Sequence, residues 1–242
     1  MDIINQKGEL PMEAPQYRHE VKHLIDRVQA AELQARLRVL MQPDENARAD
    51  GTYFIRSLYF DNDADKALRE KADGAPYREK FRIRFYNRDL SFIRLEKKVK
   101  DNRLTQKWAA RLTEEECRAL LSGNAEVLRA DSQPLVQELY AKMKLQRLKP
   151  KTVVDYTRRT FVHPLGNTRV TFDYDIRTGR FDTDILDLTL PTFPCDSAEP
   201  APVCILEVKY DAFLPGFLQD ALQLPNIRQT SYSKYEISRR FG

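Results

Sequence analysis

Hydrophobic and polar residues alternate along this chain in eight short segments, and a period of two residues is the pattern of β-strands. Six other segments space their hydrophobic residues as helices do. The predicted strands are residues 16–24, 52–60, 79–87, 91–99, 104–112, 152–162, 168–177 and 203–211. The predicted helices are residues 29–41, 63–72, 113–122, 133–147, 215–223 and 232–240. No repeat or linker divides them, so we predict a single domain over residues 16–242, after a flexible leader over residues 1–15.

Two local signals support parts of this assignment. Thr113 is followed three residues later by Glu116, which is the capping-box pattern at the start of a helix. The predicted strands 79–87 and 91–99 are joined by a short turn that begins with Asn87, so we expect them to pair in the antiparallel direction.

Six of the predicted strands carry charged residues on one face and mostly apolar residues on the other. These charged faces contain Arg18, Glu20 and Lys22; Lys80, Arg82 and Arg84; Arg94, Glu96 and Lys98; Lys107 and Arg111; Arg169, Asp173 and Asp175; and Glu207 and Lys209. For any one strand, a solvated charged face is the simplest explanation. The apolar faces of six strands also need cover, however, and the helices can supply it from outside. We therefore predict an α+β fold, an eight-stranded antiparallel β-barrel with helices packed on the outside and charged faces turned inward.

Many like charges inside one barrel repel each other unless a polyanion lies among them. Arginine and lysine are suited to phosphate oxygens, so we predict that the interior binds a chain of phosphates. Carboxylates beside phosphate indicate a divalent metal, Mn²⁺ or Mg²⁺, because such ions join carboxylate and phosphate oxygens. Three strands place a glutamate two residues before a lysine on the same face. These pairs are Glu20 with Lys22, Glu96 with Lys98, and Glu207 with Lys209.

Composition narrows the remaining classes of function. The net charge of +4 is too small to indicate a nucleic-acid partner, and none is expected. With only 8 glycines, the chain contains neither a P-loop nor a dinucleotide-binding fingerprint. Its three cysteines lack metal-ligand spacing and are expected to be reduced thiols. No signal peptide or membrane span is apparent, so we expect a cytoplasmic protein that needs a partner protein for any membrane role.

At this point a family resemblance is visible. The chain resembles the VTC (polyphosphate polymerase) branch of the triphosphate tunnel metalloenzymes over roughly residues 16–240. The matching segments are YRHEVKHLI (17–25), SLYFDN (57–62), KFRIRFYN (80–87), LEKKVKDN (95–102), DYTRRTF (155–161), RVTFDYDIR (169–177), ILEVKYDAFLPGFLQDAL (205–222) and SYSKYE (231–236). The resemblance implies an eight-stranded antiparallel tunnel that binds a nucleoside triphosphate or polyphosphate with Mn²⁺ or Mg²⁺.

The resemblance also assigns roles to individual residues. It implies that the catalytic cations are Arg82, Arg84, Lys98, Arg158 and Arg169, with Arg159 the alternative to Arg158. The substrate-binding residues would be Lys22, Lys107 and Lys234, with Arg111 able to replace Lys107. The charged strand faces add Lys80 and Lys209 as substrate-binding residues. Glu207 would be the metal ligand, and Glu20 and Glu96 are secondary candidates.

Three activities are compatible with such a site. The preferred hypothesis is phosphoryl transfer from a nucleoside triphosphate to polyphosphate, with pyrophosphate as a further possible ligand. The alternatives are a triphosphatase of the same fold and a module that binds polyphosphate without turnover. The first strand has R-H-E-V-K where the hydrolytic relatives have E-x-E-x-K, which disfavours a two-metal hydrolase. Eukaryotic relatives also carry a sensor domain and a membrane-spanning segment, which these 242 residues do not contain.

Overall fold

The computed structural model describes residues 17–102, 104–195, 204–225, 227 and 229–240, so the predicted leader over residues 1–15 lies outside the described residues. The strands are β1 (Arg18–Ile25), β2 (Gln42–Pro43), β3 (Thr52–Asp61), β4 (Tyr77–Tyr86), β5 (Ile93–Asp101), β6 (Leu104–Leu112), β7 (Lys149–His163), β8 (Thr168–Thr178), β9 (Phe193–Pro194) and β10 (Cys204–Tyr210). The α-helices are α1 (Arg27–Leu40), α2 (Lys66–Ala72), α3 (Glu114–Leu121), α4 (Pro134–Gln146), α5 (Gly216–Ala221) and α6 (Lys234–Arg240).

Eight of these strands hydrogen-bond into a closed ring. The order β7-β3-β4-β5-β6-β1-β10-β8 is closed by a further pairing of β8 with β7, and every pairing is antiparallel. The predicted eight-stranded antiparallel arrangement within an α+β fold is therefore confirmed, and so is the pairing of β4 with β5. The two-residue strand β2 pairs with β7, and the two-residue strand β9 pairs with β8. Both are too short to show an alternating pattern in the sequence.

Helices cover one side of the ring from outside. The apolar faces of β4 and β5 bury Phe81, Ile83 and Leu95 against Leu120 of α3 and Leu139 of α4, in a single cluster of buried side chains. Burying side chains of this size contributes about 1.5–3 kcal/mol each relative to full exposure. The α3 helix begins at the predicted capping box, in which Glu116 N donates to Thr113 Oγ1 at 3.1 Å and Thr113 N donates to Glu116 Oε2 at 2.7 Å. The apolar strand faces thus point outward, as expected.

The opposite side of the ring is covered by α1 and α5. Leu33 and Leu37 of α1 pack with Phe172 of β8, Leu206 of β10 and Leu218 of α5. A second capping box, Asp26 with Gln29, starts α1 and was not recognised in the sequence. Helices on both sides therefore leave the interior of the ring to the opposite strand faces.

The α6 helix contributes to the interior. Tyr235 packs in a buried cluster with Tyr59 of β3, Tyr156 of β7 and Ile205 of β10, all of which lie on the inner strand faces. Its hydroxyl donates to Asp61 Oδ2 at 2.8 Å. Part of the ring interior is therefore filled by side chains, and charged residues line other parts of the inner strand faces.

One predicted face assignment is wrong. Asp175 was expected to share the inner face of β8 with Asp173, but it adopts a left-handed φ of 48° and its side chain is 64% exposed. The register between β7 and β8 shifts at the same level, between Asp155 and Thr157. Such a bulge reverses the alternation, so Ile176 takes the inner position instead.

The three cysteines are buried and free. None of the helices in the described part of the chain has the length and apolar character needed to cross a bilayer.

Candidate functional site

The interior of the ring, called the lumen below, is lined by charged side chains from seven strands and α6. Its cations are Lys22, Lys80, Arg82, Arg84, Lys98, Lys107, Arg158, Lys209 and Lys234. Its carboxylates are Glu20, Glu96, Asp173 and Glu207. Each strand contributes alternate residues, because successive side chains of a strand point to opposite faces. The cations outnumber the carboxylates, so the lumen carries a net positive charge.

In one half of the lumen, Glu96 is surrounded by the cations Arg82, Arg84 and Lys107. We call this part of the lumen the arginine half. Glu96 is 1% exposed, and its Oε2 accepts from Arg82 Nε at 2.7 Å. Arg84 Nη1 lies 3.6 Å from the same oxygen, and Lys107 Nζ lies 2.7 Å from Oε1. Burial raises the pKa of Glu96, but Lys107, Arg82 and Arg84 outweigh it and hold that pKa well below its ordinary value. The carboxylate is therefore ionised at neutral pH.

Hydroxyl groups fix the two arginines of this half. Arg82 Nη1 donates to Tyr59 Oη at 3.2 Å. Arg84 donates to Ser57 Oγ at 2.9 Å and to Tyr156 Oη at 2.8 Å. The guanidinium of Arg84 also lies 5.7 Å from the centre of the Tyr156 ring, within cation–π range. With this many fixed partners, the two guanidinium groups are held in place before any ligand arrives.

The other half of the lumen, which we call the lysine half, is built on two glutamates of the adjacent strands β1 and β10. Glu20 lies 2.7 Å from Lys98 Nζ, and Glu207 lies 2.8 Å from Lys209 Nζ. Lys22 bridges them, since its Nζ is 3.3 Å from Glu20 and 2.9 Å from Glu207. The side chain of Lys98 is 33% exposed and that of Lys209 is 25% exposed, so both ammonium groups are open to a ligand.

The lysines of the lumen lose protons more readily than free lysines do. Burial lowers the pKa of Lys98 to about 7 despite the attraction of Glu20, with Lys22 adding to the decrease. Burial also lowers the pKa of Lys80 to about 8, and Lys22 and Lys71 act in the same direction. Burial lowers the pKa of Lys209 as well, despite Glu207. A polyanion in the lumen would oppose all three shifts, because negative charge favours the protonated ammonium.

Asp173 connects the lumen to α6. It is fully buried and accepts two hydrogen bonds from Arg158, from Nε at 2.6 Å and from Nη2 at 2.8 Å. Lys234 Nζ donates to Asp173 Oδ2 at 2.5 Å, and Arg158 Nη2 lies 3.6 Å from Glu207. The fork of Arg158 is therefore directed at Asp173, which fixes its position beside the lysine half.

Two alternative cations lie away from these clusters, while the predicted Arg169 is the register partner of Lys209 in the pairing of β8 with β10. Arg111 is at the end of β6, where it donates to the Ser91 carbonyl at 2.9 Å instead of reaching Glu96. Arg159 lies on the other face of β7 and donates to the Asp50 carbonyl. Arg169 is 29% exposed, and its Nη2 lies 3.5 Å from Asp44. Between the open alternatives, the structure places Lys107 and Arg158 in the lumen.

The family model of the VTC domain matches residues 17–241. The chain belongs to the VTC-domain family. No curated protein sequence matches this VTC domain.

Solved structures are similar to this VTC domain over most of its length. A Hippeastrum protein, described as a candidate adenylyl cyclase with a dominant triphosphatase activity, is 11% identical with a TM-score of 0.56, covering 93% of this chain and 96% of its own. A candidate adenylate cyclase from Bacillus halodurans is 12% identical with a TM-score of 0.49, covering 87% of this chain and 88% of its own. One from Vibrio parahaemolyticus is 8% identical with a TM-score of 0.49, covering 92% and 98%. The likeness to the Hippeastrum protein shows a shared fold.

Some residues that shape the lumen of this VTC domain were not among the predicted site residues. Ser57 and Tyr59 lie in the segment SLYFD, which has the composition of an apolar strand. Within it, Ser57, Tyr59 and Asp61 alternate with the apolar residues Leu58 and Phe60. Tyr156 was also missed, and Asp173 was placed on an inner face without an assigned role; each orients an arginine. The alternation of Ser57, Tyr59 and Asp61 is the signal that identifies the inner face of β3.

The donor set of the lysine half fits a divalent metal that also binds phosphate. In the described part of the chain, no group of three His, Cys, Asp or Glu side chains is placed to hold a metal alone. Divalent ions at phosphate sites commonly use one or two carboxylates, with substrate oxygens completing the shell. Glu207 on β10 and Thr171 on β8 are register partners on adjacent strands, and both face the lumen. The buried hydroxyl of Thr171 has no hydrogen-bond partner among the described residues. Glu207, Thr171 and the neighbouring Glu20 thus offer oxygen ligands beside the lysines.

Proposed function

We propose that the lumen binds a triphosphate group or a polyphosphate chain and transfers a phosphoryl group, with a nucleoside triphosphate as donor and polyphosphate as acceptor. The observation that carries this proposal is the buried, net positive lumen, whose inner strand faces carry both fixed arginines and adjustable lysines. Membership of the VTC-domain family supports it.

The ligand chemistry follows from the two halves. Arg82 and Arg84 present pre-oriented guanidinium groups, and such groups donate paired hydrogen bonds to phosphate oxygens. Lys98 and Lys209 supply ammonium groups on flexible, partly exposed side chains that can follow a phosphate as it moves. Phosphoryl transfer depends mostly on positioning and charge stabilisation, so it needs no nucleophilic side chain from the protein.

A divalent cation, Mn²⁺ or Mg²⁺, would be held by Glu207 with help from Glu20 and Thr171. When bound, it would neutralise the charge on phosphate oxygens that lie next to these carboxylates. The lysine ammonium groups that now contact the two glutamates would then be free to turn toward the phosphates.

Hydrolysis is the second candidate function, with water in place of polyphosphate as the acceptor. It has the support of one comparison, because the Hippeastrum protein of similar fold is described as having a dominant triphosphatase activity.

Measuring both products separates the candidates. We would incubate the protein with ATP, Mn²⁺ and a short polyphosphate primer, and follow nucleoside diphosphate release and polymer length together. Transfer to polyphosphate predicts that the polymer grows in proportion to the diphosphate released. Phosphate release without growth would favour hydrolysis, and tight polyphosphate binding without either product would leave a binding module.

Two variants test the site itself. Arg82→Ala should lower turnover by at least about 100-fold, because it removes a fixed phosphate ligand and one of the three cations around Glu96. Arg38→Gln is the matched control, since Arg38 is an exposed cation in the last turn of α1 on the outside of the ring. Equal activity of the two variants would contradict a catalytic lumen.

A further inference from the structure

A cavity of about 570 Å³ lies beside the lumen, between the α2–β4 connection, the β5–β6 turn and α6. The charged residues that line it are Lys71, Arg78, Lys100 and Glu236. We call this cavity the mouth. Its basic residues exceed its single carboxylate, so the positive charge of the lumen continues into it.

The mouth continues the inner faces of two strands. Arg78 lies two residues before Lys80 on β4, and Lys100 lies two residues after Lys98 on β5. In the register of these strands, Arg78 pairs with Lys100 and Lys80 pairs with Lys98. Like charges directly opposite each other destabilise a sheet. Two such pairs in succession therefore indicate that this position is built for an anionic ligand rather than for stability.

The described residues compensate this charge only in part. Lys71 Nζ lies 3.6 Å from Glu236 Oε2 and donates to Ser231 Oγ at 2.9 Å. The side chain of Lys100 has no hydrogen bond or ion pair within the described part of the chain. Burial lowers the pKa of Lys100, and the nearby Arg78 lowers it further. The mouth thus holds at least one cation that is available to a ligand.

Distances along β4 relate the mouth to the length of a bound chain. From Arg84 to Lys80 the strand covers about 13 Å, at roughly 3.3 Å per residue, which is longer than a triphosphate group. Reaching Arg78 takes about 7 Å more. A triphosphate group can therefore bind within the lumen, whereas a longer chain must extend past it.

We propose that the mouth binds the part of a polyphosphate chain that extends beyond the lumen, and that it gives the protein a preference for long phosphate chains over triphosphate. This inference rests on the proposed function, since it requires the lumen to bind phosphate. Arg78 and Lys100 are specificity-determining residues in this account, and they act on chain length rather than on the transferred phosphoryl group.

Binding measurements on one double variant test the mouth. Titration calorimetry would give the dissociation constants of tripolyphosphate and of long-chain polyphosphate for the wild type, for Arg78→Gln/Lys100→Gln and for the control Arg38→Gln. We expect the double variant to bind long-chain polyphosphate at least about tenfold more weakly and tripolyphosphate less than about threefold more weakly. The control should match the wild type for both ligands. Folding of the double variant should be intact, because the substitutions relieve a like-charge pair.

Equal losses for both ligands, or no loss for either, would overturn the length preference. A larger loss for ATP than for either inorganic ligand would show that the mouth binds the nucleoside instead, and would also overturn it. Failure of the proposed function has a different signature, in which the wild-type protein itself binds neither tripolyphosphate nor polyphosphate.

Discussion

The two halves of the lumen bind charge in different ways. In the arginine half, the Glu96 carboxylate, which is 1% exposed, pairs with three cations. Hydroxyl groups accept hydrogen bonds from its two arginines. In the lysine half, two glutamates share three lysines whose side chains are 19–33% exposed. The arginines of the first half are therefore fixed, whereas the lysines of the second half can rearrange, as can Lys107, whose side chain is 34% exposed.

This difference extends to protonation. Arginine keeps its charge at all relevant pH values, and Glu96 together with the neighbouring Tyr59 raises the pKa of Arg82 further, in spite of burial. In the lysine half, burial lowers the pKa of Lys98 to about 7, so its charge depends on what lies beside it. The comparison indicates that the arginine half sets where phosphate binds, while the lysine half adjusts its charge to the ligand.

The largest expected effect is on stability. Glu96→Gln leaves Arg82, Arg84 and Lys107 without their carboxylate in a buried site, so the free energy of unfolding should fall by about 3 kcal/mol. Glu20→Gln in the lysine half should lower it by only about 1 kcal/mol, because Lys98 can turn to solvent. Urea unfolding at neutral pH measures both.

Equal losses for the two glutamine variants would contradict the contrast between the halves. The pH dependence provides a check on the cause. A carboxylate whose folded pKa is depressed stabilises the fold above its unfolded pKa of about 4.3, and this contribution is lost as the pH falls toward the folded pKa. The difference between wild type and Glu96→Gln should therefore shrink in acid.

A smaller effect is expected on ligand affinity. Arg82→Lys keeps the charge but loses the fork that joins Glu96 to Tyr59, so tripolyphosphate affinity should fall by about tenfold. Lys209→Arg in the lysine half should change it by less than about threefold, because that position tolerates rearrangement. Competition binding of a labelled triphosphate measures both, and similar losses would show that neither half is more fixed than the other.

The smallest effect is a proton uptake. Lys98, with a pKa of about 7, and Lys80, with a pKa of about 8, are partly deprotonated in the free protein at about pH 8. A polyanion raises both values, so binding of long-chain polyphosphate, whose internal phosphates do not titrate there, should take up protons. Calorimetry in two buffers of different ionisation enthalpy measures this uptake.

Two changes should reduce the uptake. At about pH 6 it should nearly vanish, because both lysines are already protonated in the free protein. Lys98→Gln should remove the larger part of it at about pH 8, whereas the outer-helix control Arg38→Gln should not alter it. Uptake that is unchanged in Lys98→Gln would contradict the assignment of this proton to the lysine half.

Much of the lumen could be predicted from the sequence, because alternation along a strand determines which residues share a face. Lys22, Lys98 and Glu207 lie where that alternation places them. Alternation gives the face on which a residue lies, but it does not show whether the side chain reaches the charged cluster. Arg111 therefore shares the face of Lys107 but contacts the Ser91 carbonyl at the strand end. A β-bulge also interrupts the alternation of side chains between the two faces, and Asp175 is on the outer side for that reason.

Residues that orient the arginines were harder to find. Tyr59 and Tyr156 are aromatic, and in a sequence such residues indicate core packing more readily than hydrogen bonding. Their hydroxyl groups acquire a role only when the ring brings β3, β4 and β7 together. Strand pairing at long sequence separation is information that local alternation does not contain.

The most direct test of the lumen as a phosphate site is a crystal structure of the protein with tripolyphosphate and Mn²⁺. The account predicts phosphate oxygens within hydrogen-bond distance of Arg82 and Arg84 on one side and of Lys98 or Lys209 on the other, with the metal beside Glu207. Tripolyphosphate bound only on the outer surface, with Glu96 and Glu207 still paired to the same cations and the lumen empty, would contradict it.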